Sequence, residues 1–536
     1  MKYLTFPCGC KFSLVNGDEN SIVLDPIIEN INLSCSRTWD LISSGNTKGC
    51  FQLESRLGRS MSKKLKPSNI EELSALISIM RPGCLEAVRN NKTVSNHFID
   101  KKNGEESIDY FHPSLEPILK NTYGEMVYQE QAMEIVKVIA GFDLQEADML
   151  RKAIGKKKPE EMAKVKIKFL EGCKNINLVD DSCSLEIFNW IEKSQRYSFN
   201  KSHAVSYAIN AYLSAYTKAH FPQIFFASYL RFAKEKMDAQ QEIKELIQNT
   251  NEMDVVVCPP DLRLLNENFI IDNKLIYFGL TDIKGLGKSV FDKIICVIEK
   301  EKINLRDITW EETLLSLMCN INSTASKGLI SSGSLDYFKK TRNSMLFELN
   351  LISQLTDRER DIMKQDIKKH KLPSLFKILL KGKINKNRLQ IIQELDNNLS
   401  NPPFSLTDTP EWISDNEDAL LGYPITCSKI DMYDISMTNC NCKDFKNGFA
   451  AENILLAGEI DSINVVKTKT GAAKGSEMAF VSLNDSTGSL DSVVCFPQEY
   501  KTYKHILFDG NIVIFKGKRS KNKDGLIVEK IFLPSS

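Results

Sequence analysis

The chain has 536 residues, of which 42% are hydrophobic and 26% charged, the mix of a globular protein with room for about three or four domains, each with its own core. A formal net charge of +1, from 70 basic and 69 acidic residues, excludes a uniformly basic coat protein. Any nucleic-acid surface must be local, with acidic regions balancing it elsewhere. No signal peptide or long apolar span is evident, and the 14 cysteines lie mostly within apolar runs such as DKIICVIEK, as expected of reduced thiols in a cytoplasm with no membrane partner.

Residues 1–50 read as a short strand-like segment with a turn at NGDEN. Two close cysteine pairs stand out, Cys8/Cys10 in FPCGCKF and Cys440/Cys442 in TNCNCKDF. Zinc sites usually repeat a gap of two to four residues. One-residue gaps match that poorly, so loop or core thiols are the simpler reading and no metal ligand is assigned.

Residues 51–235 are mostly helical, with 3.6-residue periodicity in stretches such as YQEQAMEIVKVIAGF. Within ADMLRKAIGKKKPEEMAK, Arg151 and Lys152 precede Lys156, Lys157 and Lys158, and Pro159 with Glu160 and Glu161 opens the next helix. Such a cation group either holds phosphates or is a solvated basic turn. In RYSFNKSHAVSYAINAYLSAYTKAHFP, Asn200 or Ser202 caps a helix that ends before Pro222. Lys201 and His203 stand at its positive end, an arrangement that suits an anion. Ala204, Ala208, Ala211, Ala215 and Ala219 form a small-residue stripe along it. That stripe serves either a flat ligand or a closely packed neighbouring helix.

Cys258-Pro259-Pro260 interrupts the helices. In the region 236–352, DIKGLGKS predicts a hairpin between two helices. There Gly285 and Gly287 present backbone N–H groups to a DNA phosphate, and Lys284 and Lys288 flank them. A glycine turn without a partner is the alternative. Residues 353–449 are charge-dense and read as exposed helices and a linker. From 450 to 536, five short strands between Gly, Asn and Asp turns predict a small β-barrel of the OB type. Such barrels stack single-stranded bases on aromatics above a basic groove, with Phe480, Phe496, Phe515, Lys467, Lys469, Lys518 and Arg519 as candidates. No internal repeat and no phosphate-binding G-x4-G-K-[ST] loop is present.

Taken in order, several of these stretches resemble the bacterial DNA polymerase III alpha subunit, the C-family replicative polymerase. GCFQLES (49–55), LISIMRPGCLEA (76–87), NTYGEMVYQEQAM (121–133), ADMLRKAIGKKKPEEMAK, YSFNKSHAVSYA (197–208), IKGLG and LISSGSLDYF (329–338) are similar to that family's motifs, from about residue 30 to the end. The resemblance implies polymerase fingers over 51–235, a helix-hairpin-helix DNA-binding region over 236–352, a charged helical linker over 353–449 and an OB-fold over 450–536. It implies that Arg151, Lys152 and Lys156 approach the triphosphate of an incoming deoxynucleotide. Tyr197, Asn200, Lys201 and His203 would line its pocket. Lys284, Gly285, Gly287 and Lys288, with Phe480 and Lys518 of the barrel, would contact primer–template DNA.

The family's palm motifs, P-D-x-D and K-x-D-F-x-G-L, do not occur. Asp25 lies too close to FQLES and lacks the flanking Phe and Gly, so no catalytic residue is assigned. Residues 1–50 would then be a palm-adjacent remnant. The Mg2+ ions of two-metal nucleotidyl transfer would be held by a palm on a second polymerase chain, in a split enzyme of bacterial or phage-infected host cytosol. KLPSLF (371–376) falls where the family often carries a sliding-clamp motif and offers either that contact or an apolar helix turn. The alternative in another class is a non-catalytic DNA-binding or scaffold protein built from polymerase parts.

Overall fold

The computed structural model describes residues 3–14, 22–23, 30–155, 159–194, 198–382, 385–449, 451–468, 473–520 and 525–535. Asp25, Lys156 to Lys158, Tyr197 and Lys469 lie outside them. The chain forms two compact units, Met1–Pro222 and Gln223–Ser536.

The first unit opens with a three-stranded antiparallel sheet, Tyr3–Thr5, Lys11–Leu14 and Ile22–Val23. Helices follow at Ser36–Ser43, Arg56–Leu65 and Ile70–Ile79, then at Gln129–Ala140, Leu144–Gly155, Pro159–Ile176, Asp181–Ser194 and Lys201–His220. The last of these is organised by its alanines. Ala204, Ala208, Ala211, Ala215 and Ala219 are all buried, and the helix packs on Ile70–Ile79, whose Ser74, Ala75 and Ser78 are also small and buried. Small residues on both sides let the two backbones approach closely, so the stripe serves packing. A second core gathers Ile135, Val136, Ile139, Leu150, Phe169, Phe188 and Ile191 from four consecutive helices.

The second unit begins with helices at Pro222–Ala233 and Ala239–Glu252, and its largest core draws on everything from Phe226 to Tyr423. This changes the reading of 353–449. Met363, Leu372, Leu375, Phe376, Leu379, Ile392 and Leu395 sit in one core with Phe278, Ile283, Leu329 and Met345. The segment is part of the globular body. Its lysines and aspartates occupy the outer faces of helices whose inner stripes are apolar, and the charge density concealed those stripes. Leu372, Leu375 and Phe376 of KLPSLF are among the buried side chains, which makes it the apolar helix turn, Leu372–Leu380.

The final strands, Ile454–Lys467, Glu477–Asp485, Gly488–Cys495, Ile512–Arg519 and Leu526–Phe532, close into a barrel. Numbered within the barrel, the order is 1-2-3-5-4-1, with strands three and five parallel and every other pair antiparallel. A helix, Pro497–Tyr503, connects strands three and four. This is the OB-fold topology, a five-stranded Greek-key barrel. Ion pairs of Lys244 with Asp461 and of Lys446 with Glu252 tie the barrel region to the helix Ala239–Glu252, and Lys443 pairs with Asp254 in the turn after it.

Candidate nucleotide and DNA surfaces

The local chemistry of the first unit begins at Tyr123 and Gly124, which both adopt positive φ (53° and 80°) and turn the chain sharply. The Tyr123 hydroxyl donates to Glu72 at 2.8 Å. Gln131 then staples the turn. Its side-chain oxygen accepts from the Val127 and Tyr128 N–H groups at 2.9 Å, and its amide donates to Thr122 at 2.7 Å. So fixed, Tyr128 forms a parallel β-bridge with Phe199, in which Phe199 N–H donates to Val127 and Gln129 N–H donates to Phe199, both at 3.0 Å. Two motifs about seventy residues apart are thereby held side by side.

The bridge delivers the chain to Asn200, which caps the helix Lys201–His220 by accepting from the His203 N–H at 2.9 Å. Ser202 is a helical residue that donates its hydroxyl to the cap at 2.7 Å. Glu130 accepts the Lys201 N–H at 2.9 Å. The positive end of the helix thus already holds one carboxylate of the protein's own. Lys201 Nζ reaches Glu71 at 3.1 Å and lies 5.7 Å from the Tyr128 ring. His203 meets Phe199 edge-to-face and Tyr207 at a tilt, with centroids 5.3 and 4.2 Å away, and Tyr207 continues to Phe51 at 5.1 Å. Arg81 lies over the other aromatic flank, 3.7 Å from the Phe199 centroid. The result is a half-exposed surface of one arginine, one lysine and a row of edge-on and tilted rings.

Arg151 and Lys152 share one helix, Leu144–Gly155, and both pair with Asp148, at 2.7 and 2.6 Å. Hydrogen bonds from Lys152 and then Arg151 hold that carboxyl below its usual range. Both cations are substantially exposed. Among the described residues, no hydrogen bond or ion pair links them with Lys201, Asn200 or His203, so the five expected nucleotide residues that are described fall into two groups. Glu130, Glu71 and Arg81 were missed in the sequence. The motifs could have suggested two of them, since Glu130 lies in NTYGEMVYQEQAM and Arg81 in LISIMRPGCLEA.

In the second unit, IKGLG is a tight turn with Ile283 and Leu286 buried in the core and Lys284, Gly285, Gly287 and Lys288 exposed. Gly285 has φ +87°, a left-handed conformation that a side chain disfavours. The element before the turn is a single 3-10 turn, Leu280–Asp282, and only the following element, Lys288–Glu301, is an α-helix. Only one of the expected pair of helices therefore flanks the turn directly, and a Cβ at Gly279, just before it, would meet the backbone of Glu267 and Asn268. The Lys284 N–H is taken by Leu420. Among the described residues, the N–H groups of Gly285, Gly287, Lys288 and Ser289 meet no acceptor. A row of such donors at a helix start is suited to a phosphate. Lys288 is held by Glu267 at 2.6 Å and Asp292 at 3.2 Å.

On the barrel, Phe480 points outward on strand two, 38% exposed, while Phe515 is fully buried. Phe515 is a core residue and offers no stacking face. Arg519 lies over the Phe445 ring at 3.9 Å and donates to the Phe445 carbonyl, which makes it a structural clasp. Lys518 is exposed and pairs with Glu529 at 2.8 Å. Lys467 and Phe496 are exposed. Cys440 and Cys442 belong to the barrel core, where burial pushes the Cys440 thiol up to about 11. They are core thiols, with no third ligand beside them among the described residues.

With this geometry in place, similarity to known proteins can be stated. Residues 14–177 match the family model for the bacterial DNA polymerase III alpha subunit finger domain, and residues 254–345 match a helix-hairpin-helix motif. The chain is 30% identical to the DNA polymerase III subunit alpha of Borreliella burgdorferi, over 97% of its own length and 43% of that protein. With the subunit of Aquifex aeolicus it shares 31% identity, covering 93% and 39% of the two chains, and with that of Staphylococcus epidermidis 30%, covering 94% and 43%. The chain is a homologue of the DNA polymerase III alpha subunit. It spans less than half the length of these polymerase relatives. The finger model begins well before residue 51 and ends before the Lys201–His220 helix, so part of the strand-like N-terminal segment aligns with fingers. The hairpin turn lies inside the helix-hairpin-helix match.

Proposed function

We propose that this chain is the finger, hairpin and barrel component of a DNA-directed DNA polymerase of the polymerase III alpha type. In this reading it binds incoming dNTP and primer–template DNA, and a separate palm-bearing chain supplies the two-metal nucleotidyl transfer. The observation that carries the reading is the bridge between Tyr128 and Phe199, which joins two family motifs around one cationic, aromatic surface. Asn200, Lys201 and His203, with Tyr197, belong to the nucleotide pocket; Arg151, Lys152 and Lys156 belong to the triphosphate side. The carboxylates that hold Mg2+ are assigned to the palm. In support, neither P-D-x-D nor K-x-D-F-x-G-L occurs in the sequence.

The test is template-dependent incorporation with magnesium after mixing this chain with the product of a gene encoding P-D-x-D and K-x-D-F-x-G-L. Lys201→Ala with Arg151→Ala is expected to lower kcat/KM by about 100-fold or more, the scale of losing a positioned charge on a developing phosphate anion. Unchanged kinetics would sink the pocket assignment. The scaffold reading gains from the carboxylates already seated on Lys201, Arg151 and Lys152. It predicts DNA binding with no incorporation beside any palm chain.

DNA binding at the hairpin has its own test. A Cβ at Gly287 meets no atom within 4 Å, and its φ of −79° suits any residue. Gly287→Val should therefore leave the melting temperature unchanged while its side chain screens the open N–H row and weakens DNA binding. Lys284→Ala plus Lys288→Ala should flatten the slope of log K against log salt by about 2. Duplex affinity measured across a salt series checks both, and an unaltered slope removes these lysines from the interface.

A further inference from the structure

We propose that Cys8, Cys10, Cys35 and His220 form a structural zinc site that ties the beginning of the chain to the end of the Lys201–His220 helix. The four ligand atoms lie within 4.8 Å of one another, and three of the four residues are buried. His220 Nε2 is 3.4 Å from Cys35 Sγ and 3.9 Å from Cys8 Sγ. A tetrahedral zinc with Zn–S near 2.3 Å and Zn–N near 2.0 Å has ligand–ligand edges of about 3.5–3.8 Å. The two His220–sulfur distances bracket that range, and the rest of the group reaches it by closing in by no more than about 1 Å. Three sulfurs and one imidazole are a soft, tetrahedral donor set, which favours zinc over magnesium or calcium. The spacing leaves room for one ion and none for a cluster.

The one-residue gap that argued against a metal is resolved by backbone geometry. Gly9 has φ +83°. Phe6 N–H donates to the Cys10 carbonyl and Gly9 N–H to the Phe6 carbonyl, each at 2.9 Å. The hairpin therefore folds back on itself and brings both sulfurs into one group. Cys35 is the N-cap of the helix Ser36–Ser43 and makes no side-chain capping bond; its sulfur turns instead to His220. Around the group, Asn32 donates to Cys10 Sγ at 3.8 Å and is itself fixed because its carbonyl accepts from Tyr212. The His220 ring is wedged among Phe6, Phe12 and Tyr216, with centroids 4.7, 5.3 and 4.5 Å away. Its Nε2 faces the Cys35 and Cys8 sulfurs, the ring atom that would donate to the metal. On binding, zinc displaces the thiol protons to solvent and takes three thiolates; no redox step is involved.

The experiment uses the full chain, purified under reducing conditions from zinc-supplemented cells. Elemental analysis is expected to give one zinc per chain, lost in Cys35→Ser and in the double variant Cys8→Ser plus Cys10→Ser, and kept in Cys183→Ser. Replacing zinc by cobalt in the wild-type protein should give an intense thiolate-to-cobalt band in the near ultraviolet and tetrahedral bands in the red. The cobalt spectrum decides the matter even where a cysteine variant does not fold. The proposal is overturned by wild-type protein that carries no zinc and takes up no cobalt. Metal retained after loss of Cys8 and Cys10 overturns it too. So does an intact mass two hydrogens light that maps to a disulfide within the group.

Discussion

Arg342→Met should destabilise the second unit by about 3–5 kcal/mol, the cost of breaking a buried ion pair from one side. Arg342 is 2% exposed and Glu417 fully buried. Its guanidinium donates to Asp336 through two nitrogens, at 3.0 and 2.7 Å, to the Ser331 carbonyl at 3.1 Å, to Glu417 at 2.8 Å and to Thr426 at 3.1 Å. Methionine fills much of the volume and makes none of these bonds, leaving Glu417 charged in the interior. The double variant Arg342→Met plus Glu417→Gln should recover part of the loss. A glutamine oxygen can still accept from the Ile425 and Thr426 N–H groups, which Glu417 now takes at 2.6 and 2.7 Å, and it leaves no charge behind. Urea unfolding followed by tryptophan fluorescence measures both. A double variant no more stable than the single one would show that the stranded charge is not the cause. The same geometry accounts for the glycine of LISSGSLDYF: Gly333 has φ +86°, and a Cβ there would meet the guanidinium at 2.5 Å.

The second large effect belongs to the barrel. Gly517→Val should cost about 3 kcal/mol or more and lower the barrel's melting transition, because a Cβ at Gly517 would lie 2.0 Å from the Ile527 carbonyl oxygen, a backbone atom that cannot step aside. Gly517 stands where the register between strands four and five shifts, and such bulged glycines let a sheet coil far enough to close. Calorimetry of the full chain should show the barrel transition moving down in temperature. An unmoved transition would mean that closure does not depend on this close approach.

How much of this was legible beforehand varies by element. The barrel strands were, since ILLAGEIDSINVVKT covers the observed Ile454–Lys467 almost residue for residue and alternation at period two is a local property. The barrel itself was expected from their number and spacing, and closure bears it out; the parallel pairing of strands three and five was not readable, since it joins segments with no local signal. The Asn200 cap and the alanine stripe were readable as local chemistry, and the stripe resolved to helix packing. Glu130 on the same helix end was hidden, since only the Tyr128–Phe199 bridge brings it there. The core stripe of KLPSLFKILL was present in the sequence and was outweighed by surrounding charge. His220 stands 212 residues from Cys8, and no spacing rule spans such a gap.

The Lys201–His220 helix has 20 residues, hence a length of about 30 Å. Its first turn carries the capped, cationic surface; its last turn carries His220 beside the three thiols. Between them Lys218, fully buried, grips the carbonyls of Asn46 and Lys48 at 2.9 and 2.8 Å. One continuous rigid element therefore carries the cationic surface at one end and the residue that faces the thiols at the other, so the two are held at a fixed spacing of about 30 Å.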